Sequence, residues 1–184
     1  MTLHADALGA LERWTPPSTD QIAHRNRFVA HLRAQPDGMT RASFPDHITA
    51  GTLVLSADLD HVLLNLHRKA RRWFAFGGHC EPDDLTLLSA ATREAAEESG
   101  IAGLDVDPVP VHLDEHTVGF CDPRGPVAHL DVRYTARAAA DAVHGVSEES
   151  LDVGWWPVTE LPELEPEMLT LIELSRARWA QRVS

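Results

Sequence analysis

The apolar positions of the chain change period several times, and each change marks an element. Ile22, Phe28, Val29 and Leu32 recur at helical spacing behind Ser18-Thr19-Asp20-Gln21, which has the S-x-x-Q form of a capping box, until Pro36-Asp37-Gly38 stops the pattern. An amphipathic helix is predicted over 19–34. From Ile48 the texture becomes that of strands: 48–55 and 62–66 are short runs rich in Leu and β-branched residues, joined by a loop of hairpin length. Trp73-Phe74-Ala75-Phe76 predicts a further strand that ends in Gly77-Gly78. Residues 85–99 contain neither Gly nor Pro, are rich in Ala, Leu and Glu, and meet a stop at Gly100, so a helix is predicted there. Residues 109–120 and 127–136 alternate apolar and polar positions on either side of the turn-rich Cys121-Asp122-Pro123-Arg124-Gly125, as two antiparallel strands do. In the second of them Leu130, Val132, Tyr134 and Ala136 share one face, and His129, Asp131 and Arg133 the other. Trp155-Trp156 reads as a strand and 168–179 as a closing helix. The order is that of an α/β protein with a mixed sheet, one helix inserted mid-chain, one at the end and a helical lead-in.

Composition narrows the class. Hydrophobic residues form 43% of the 184, which is enough for a core, and no run approaches the roughly 18 to 20 apolar residues of a membrane-spanning helix. The start, MTLHADALGALERW, lacks the basic and apolar stretches of a signal peptide, so a cytoplasmic location without membrane association is expected. Cys80 and Cys121 are too few for a disulfide framework, and reduced thiols are expected. The net charge of −12 and the single lysine, Lys69, exclude a duplex nucleic-acid binder, which needs clustered cations. That charge is uneven: residues 1–75 sum to +2 and residues 76–184 to −14.

The most informative stretch lies where the acids concentrate, in GGHCEPDDLTLLSAATREAAEESGI from Gly77 to Ile101. On a helix Glu94, Glu97 and Glu98 fall within an arc of roughly 100°, near the C-terminus where the helix dipole also disfavours them. A divalent cation converts that repulsion into binding, and clustered oxygen ligands suit Mg²⁺ or Mn²⁺. A solvated acidic face, with Arg93 pairing Glu97 four residues on, is the alternative. The glycine pair favours the first reading because it permits a close backbone approach, and Leu88, Ala91 and Ala95 form a strip that would seat the helix on the sheet.

Arg93-Glu94-Ala95-Ala96-Glu97-Glu98-Ser99-Gly100-Ile101 resembles the second half of the Nudix hydrolase box, G-x5-E-x7-R-E-U-x-E-E-x-G-U with U a bulky apolar residue. The small Ala95 stands where U is usually larger. Counting from Gly78, Asp84 fills the first acidic position in place of Glu, and eight residues separate it from Arg93 where the box has seven. The order of strands and helices from about His47 onward is also similar to that family.

The resemblance implies an α/β/α sandwich with a mixed sheet over residues 47–184, preceded by a helical extension over 1–46 that can cover a sheet edge, shape the cleft or support a homodimer. It implies a pyrophosphohydrolase that cleaves the phosphoanhydride of a nucleoside diphosphate derivative or a related small-molecule diphosphate. Carried over, Glu94, Glu97 and Glu98 with the Gly78 carbonyl would hold Mg²⁺ or Mn²⁺, and Arg93 would orient Glu94. Family members often draw a general base from the loop before a late Trp-containing strand, here Ser147-Glu148-Glu149-Ser150, so Glu149 is the first choice and Glu94 the alternative. Arg68, within the run His67 to Arg72, is favoured for phosphate contact, while His129 and Arg133 either line the substrate cleft or form an exposed polar face. A nucleotide-binding module of the same fold without hydrolysis is the competing reading, disfavoured by the complete set of carboxylates.

Two further patterns are weaker. His112-Leu113-Asp114-Glu115-His116 has the form H-x-x-E-H of certain zinc peptidases, but that chemistry needs a helix and the alternation here describes a strand. His79 and Cys80 have no partner pair at metal-ligand spacing and are expected to be loop residues.

Overall fold

The structure, a computed structural model, describes residues 2–148 and 150–183. Two helices come first, α1 (Leu3–Arg13) and α2 (Thr19–Ala34), followed by strands β1 (Asp46–Leu55), β2 (His61–His67), β3 (Trp73–Phe74) and β4 (Phe76–His79). Helix α3 (Leu87–Ser99) leads to β5 (Asp105–Val106), β6 (His112–Asp122), β7 (Gly125–Arg137), β8 (Ser150–Pro157) and a closing α4 (Pro166–Val183).

β1 is the spine of the mixed sheet. It runs parallel to β7 from Asp46 opposite Ala128 to Leu55 opposite Arg137. Its other edge pairs antiparallel first with β4, from Thr49 opposite His79 to Thr52 opposite Phe76, and then with β2. β2 extends to β3 and β8, and β7 to β6 and β5. A parallel pair needs a long crossover, and the one between β1 and β7 contains α3.

Alternation along β1 divides the two faces. Ile48, Ala50 and Val54 with Leu130, Val132, Tyr134 and Ala136 of β7 are buried on one face, where the Thr52 hydroxyl donates to the Ala91 carbonyl of α3 at 3.1 Å. Ala91 and Ala95 are fully buried, so the small side chains let α3 sit close to the sheet. Leu53, Leu55, Val62 and Leu64 turn to the other face and meet Met168, Leu171, Ile172 and Trp179 of α4. Toward the start of β1 that same face opens into a cleft of about 500 Å³, whose floor includes Thr49, Gly51, Asp131 and Arg133. The β7 face carrying His129, Asp131 and Arg133 is therefore the cleft face.

The N-terminal helices share a core with the sheet. Ala7, Leu11, Trp14, Phe28 and Leu32 pack in one cluster with Ile48, Leu87, Ala90 and Leu113. The Ser18 hydroxyl accepts the Gln21 N–H at 3.3 Å, so half of the predicted capping box forms. The Gln21 carboxamide reaches instead to β6, donating to the Leu113 carbonyl at 2.8 Å and accepting the Leu113 N–H at 2.7 Å. Asp6 of α1 accepts the N–H of Leu87, the first residue of α3, at 2.8 Å, which places a carboxylate at the positive end of that helix.

Three elements differ from expectation. The strand predicted over Trp73 to Phe76 is two strands, β3 on β2 and β4 on β1, because the chain crosses from one edge to the other between Phe74 and Phe76. α3 begins at Leu87, two residues late, since Thr86 and Ser89 form a reciprocal capping box while Leu85 stays exposed. α1 and β5 were not expected. α1 has a sparse apolar stripe, with only Ala7 and Leu11 fully buried, and β5 is two residues long.

Candidate active site

The edge of β4 and the last turns of α3 meet across one contact that glycine makes possible. Gly78 points at α3, where a Cβ would stand 2.8 Å from the Glu94 carboxylate, and the Gly77 N–H donates to Glu98 Oε2 at 2.9 Å. Gly77 faces the other way, against Gly51 of β1, where a Cβ would lie 2.7 Å from the Gly51 Cα. Two of the three predicted carboxylates are thus drawn to the glycine pair. Glu98 is buried and Glu94 nearly so, whereas the Glu97 side chain is 61% exposed.

Arg93 organises these acids. Its Nη1 donates to Glu94 Oε1 at 3.0 Å and to Glu97 Oε2 at 3.1 Å, and its Nη2 donates to the His79 carbonyl at 3.0 Å. The other edge of the guanidinium is taken by Asp84, which accepts from Nε at 3.2 Å and Nη2 at 3.0 Å. The extra residue in the loop before α3 is absorbed without losing that pairing. Burial alone would raise the Asp84 pKa, but the Arg93 bonds and the Glu81 N–H outweigh it and hold the carboxyl below its ordinary value.

The cleft beside this cluster is lined by cations and aromatic rings. Arg41, Lys69, Arg72 and Arg133 contribute positive charge, and Phe74 and Phe120 flank His67 at ring distances of 6.3 and 6.4 Å. Arg72 also pairs with Glu165, and Lys69 lies 5.2 Å from the centre of the Phe120 ring. Arg133 is 6% exposed, donating to Asp131 at 2.8 Å and to Asp114 at 2.9 Å, while its buried Nη1 has no hydrogen-bond partner. Arg68 lies outside the lining. Its guanidinium bridges the Glu148 and Ser150 carbonyls, both at 2.9 Å, so it fastens the loop on either side of residue 149. Glu149 itself lies outside the described residues.

His79 requires a correction. Cys80 does lie in the loop after β4, but His79 is not a loop residue without partners: it ends β4, and the fold brings it together with His47, Cys121 and His129. The grouping of His47 with Cys121 was not legible in the sequence, because 74 residues separate them and residue spacing marks only local pairs. Burial, with His47 and Arg41 adding to it, lowers the pKa of His79 to about 4, and burial with three nearby imidazoles lowers that of His129 to about 3. Cys80 stands apart, a buried thiol pushed up to about 12. The H-x-x-E-H residues lie on β6, as the alternation predicted: Glu115 turns away toward Arg27, 3.7 Å distant, while Asp114 pairs with His116 at 2.8 Å.

Comparison with known proteins agrees with this geometry. The Nudix domain family matches residues 45–175. Comparison with curated proteins finds no match. Among solved structures, the Nudix domain of Shewanella oneidensis NrtR complexed with ADP ribose shares 24% identity over 76% of this chain and 92% of that one, with a TM-score of 0.57. A Nudix-family hydrolase from Clostridium perfringens shares 23% over 72% and 97%, with a TM-score of 0.56. A C. elegans Ap4A hydrolase shares 20% over 72% and 98%, with a TM-score of 0.52. With the box helix, the glycine pair and the sheet all in place, the chain belongs to the Nudix hydrolase family.

Proposed function

We propose that the chain, through its hydrolase unit at residues 47–184, cleaves the phosphoanhydride linkage of a nucleoside diphosphate derivative or a related small-molecule diphosphate, with Mg²⁺ or Mn²⁺. The observation that carries this reading is the convergence of Glu94 and Glu98 on the Gly77-Gly78 backbone, beside a cleft that presents several cations. The donor set fits the ion. It is made of oxygens, and Gly78 leaves open the space that any side chain would fill. Glu94, Glu97 and Glu98, with the Gly78 carbonyl, would hold the cation. When bound, it neutralises phosphate oxygens and lowers the pKa of the attacking water.

The rest falls to the chain's own side chains. Arg93 holds Glu94 and Glu97 in position and is itself held by Asp84. Lys69, Arg41 and Arg133 offer hydrogen bonds to phosphate oxygens, and Phe74 and Phe120 offer a wall for a flat ring, which supports a nucleoside-like group. Glu149 is assigned as the base that takes the proton of the attacking water, with Arg68 anchoring the backbone on both sides of it. The unpaired thiols of Cys80 and Cys121 support a reducing compartment such as the cytoplasm.

A substrate panel tests this reading. ADP-ribose, dinucleoside polyphosphates, nucleotide sugars, damaged nucleoside triphosphates and non-nucleotide diphosphates are assayed for phosphate release after phosphatase treatment, with wild type beside Glu98→Gln and Glu149→Gln. Turnover of at least one member is expected, with kcat reduced by about 10²-fold or more in both variants. Binding without turnover across the panel would turn the assignment to a nucleotide-binding module. Equal activity in Glu98→Gln would remove the carboxylate mechanism, and equal activity in Glu149→Gln would remove Glu149 from it.

A further inference from the structure

On the cleft wall, one residue beyond Gly78, four soft or borderline donors converge. The Cys121 Sγ lies 3.3 Å from His79 Nε2, 3.4 Å from His129 Nε2 and 3.9 Å from His47 Nε2, and all four atoms lie within 4.8 Å of one another. The three imidazole rings form a triangle with centroids 5.0 Å apart on every side. A tetrahedral zinc with bonds of about 2.05 Å to nitrogen and about 2.3 Å to sulfur spaces its N···S edges at about 3.6 Å. The observed spacings bracket that figure.

Hydrogen bonding alone accounts poorly for this arrangement. One thiol has a single hydrogen to donate and accepts only weakly through its sulfur, yet three ring nitrogens surround it. His47 Nδ1 lies 3.0 Å from the Ser43 carbonyl and must donate to it, so the Nε2 aimed at the sulfur carries a lone pair. Burial also keeps His47, His79 and His129 neutral, the form in which imidazole binds a metal. The backbone is shaped to the same end. His47, His79 and His129 come from β1, β4 and β7, where register sets His47 directly opposite His129. Cys121 joins them because the β6–β7 pairing is irregular between Val118 and Asp122, which breaks the alternation that would turn it from the face carrying His116.

We propose that His47, His79, His129 and Cys121 bind one Zn²⁺ ion through three Nε2 atoms and a thiolate, and that this ion clasps β4 and the end of β6 to the central β1–β7 pair. Binding releases the thiol proton to solvent. The cleft is the way in, since His79, Cys121 and His129 line it. A closed set of four protein ligands is the pattern of a structural zinc, and its consequence here is to fix the strand that presents Gly78 to Glu94. It is separate in donor chemistry from the oxygen-rich site on α3.

The test uses the full chain, stripped with chelator and reloaded with Zn²⁺ or Co²⁺. One equivalent of zinc per chain is expected for wild type and for Glu98→Gln, and none for Cys121→Ser. Cobalt should give the strong visible bands of a tetrahedral site with a thiolate charge-transfer band, the latter lost in Cys121→Ser. Should that variant fail to fold, wild type decides alone: zinc is expected to protect the Cys121 thiol from a disulfide reagent, and chelator to expose it. Absence of zinc uptake by wild type, a cobalt spectrum without thiolate charge transfer, or charge transfer that survives Cys121→Ser overturns the proposal. A chain that binds cobalt through sulfur yet cleaves no diphosphate keeps the zinc site and loses the proposed hydrolysis.

Discussion

Gly78 of β4 lies directly against the Glu94 carboxylate of α3: a Cβ on Gly78 would come within 2.8 Å of Cδ and of both oxygens. Neither partner is loose, because Gly78 pairs opposite Ala50 of β1 and Glu94 accepts from Arg93. The carboxylate is nevertheless the end of a side chain and can rotate away, so the damage falls on the site more than on the fold. Gly78→Ala is expected to lower kcat by about 10²-fold, the scale of a misplaced catalytic group, with an unchanged circular dichroism spectrum. Gly77→Ala is expected to behave differently. Its Cβ meets the Gly51 Cα at 2.7 Å, a backbone contact that cannot yield without parting two strands. Denaturant titration should show a loss of stability in Gly77→Ala that Gly78→Ala does not share.

Arg93 and Asp84 form the second constraint on the carboxylates. The pair is bidentate, and Asp84 is 8% exposed, so the charge it supplies is little screened. Asp84→Asn keeps the shape and removes the charge. Hydrogen bonds to charged groups contribute about 1.5–3 kcal/mol, and a loss in that range is expected in urea denaturation at neutral pH. If Asp84 acts by holding Arg93, kcat should fall about tenfold with KM little changed, and Asp84→Glu should recover part of it. A fall in stability with kcat intact would make the pair a structural tie alone.

The strands and helices with strong periodicity were legible in the sequence, and the reason is local. Ile48, Ala50 and Val54 alternate because one face of β1 is core, and the Ala91 and Ala95 strip is small because α3 must approach the sheet closely. The cluster of Glu94, Glu97 and Glu98 on α3 was legible for the same reason, since spacings of three and four residues define one face. What sequence could not carry was contact between distant segments. Gln21 looks like half of a capping box and serves as a strand partner for Leu113, 92 residues away. His47, His79, Cys121 and His129 have no common spacing at all, and the pairing of β1 with β4 and β7 is what assembles them. Asp84 lay in between: its residue type pointed to a role, but only the folded loop shows that the extra residue leaves it on Arg93.

The Gln21 contact predicts a stability effect separable from catalysis. Its carboxamide satisfies the buried Leu113 N–H and shares the Leu113 carbonyl with His24 Nδ1 at 3.0 Å. Gln21→Ala therefore leaves the carbonyl a partner and strips the N–H of one. An unsatisfied buried donor costs about 1–3 kcal/mol, which should appear as a lower denaturation midpoint with kcat unchanged. A kcat that falls along with stability would instead tie the α2–β6 contact to the geometry of the cleft.

Asp107 predicts how the fold responds to acid. It is fully buried behind β5 and receives Arg178 through Nε at 2.8 Å and Nη2 at 3.0 Å, Arg182 at 3.1 Å and the Val109 N–H at 2.9 Å. Burial works to raise its pKa, but these partners outweigh it and hold the carboxyl below its ordinary value. A carboxyl whose pKa is lower folded than unfolded adds stability above the unfolded value, about 3.9, and that stability disappears as pH falls through the folded value. Both arginines are more than a third exposed, which screens the pair, so a cost of about 2–3 kcal/mol is expected for Asp107→Asn at pH 7. Because the variant cannot titrate there, its deficit relative to wild type should shrink as pH falls below about 4, where the unfolded chain takes up the proton before the native carboxyl does, and level off once the native carboxyl is protonated too. Urea denaturation of both proteins across that range measures the difference directly, and a deficit that stays constant down to acid pH would show that shape, not the charge of Asp107, holds α4 in place.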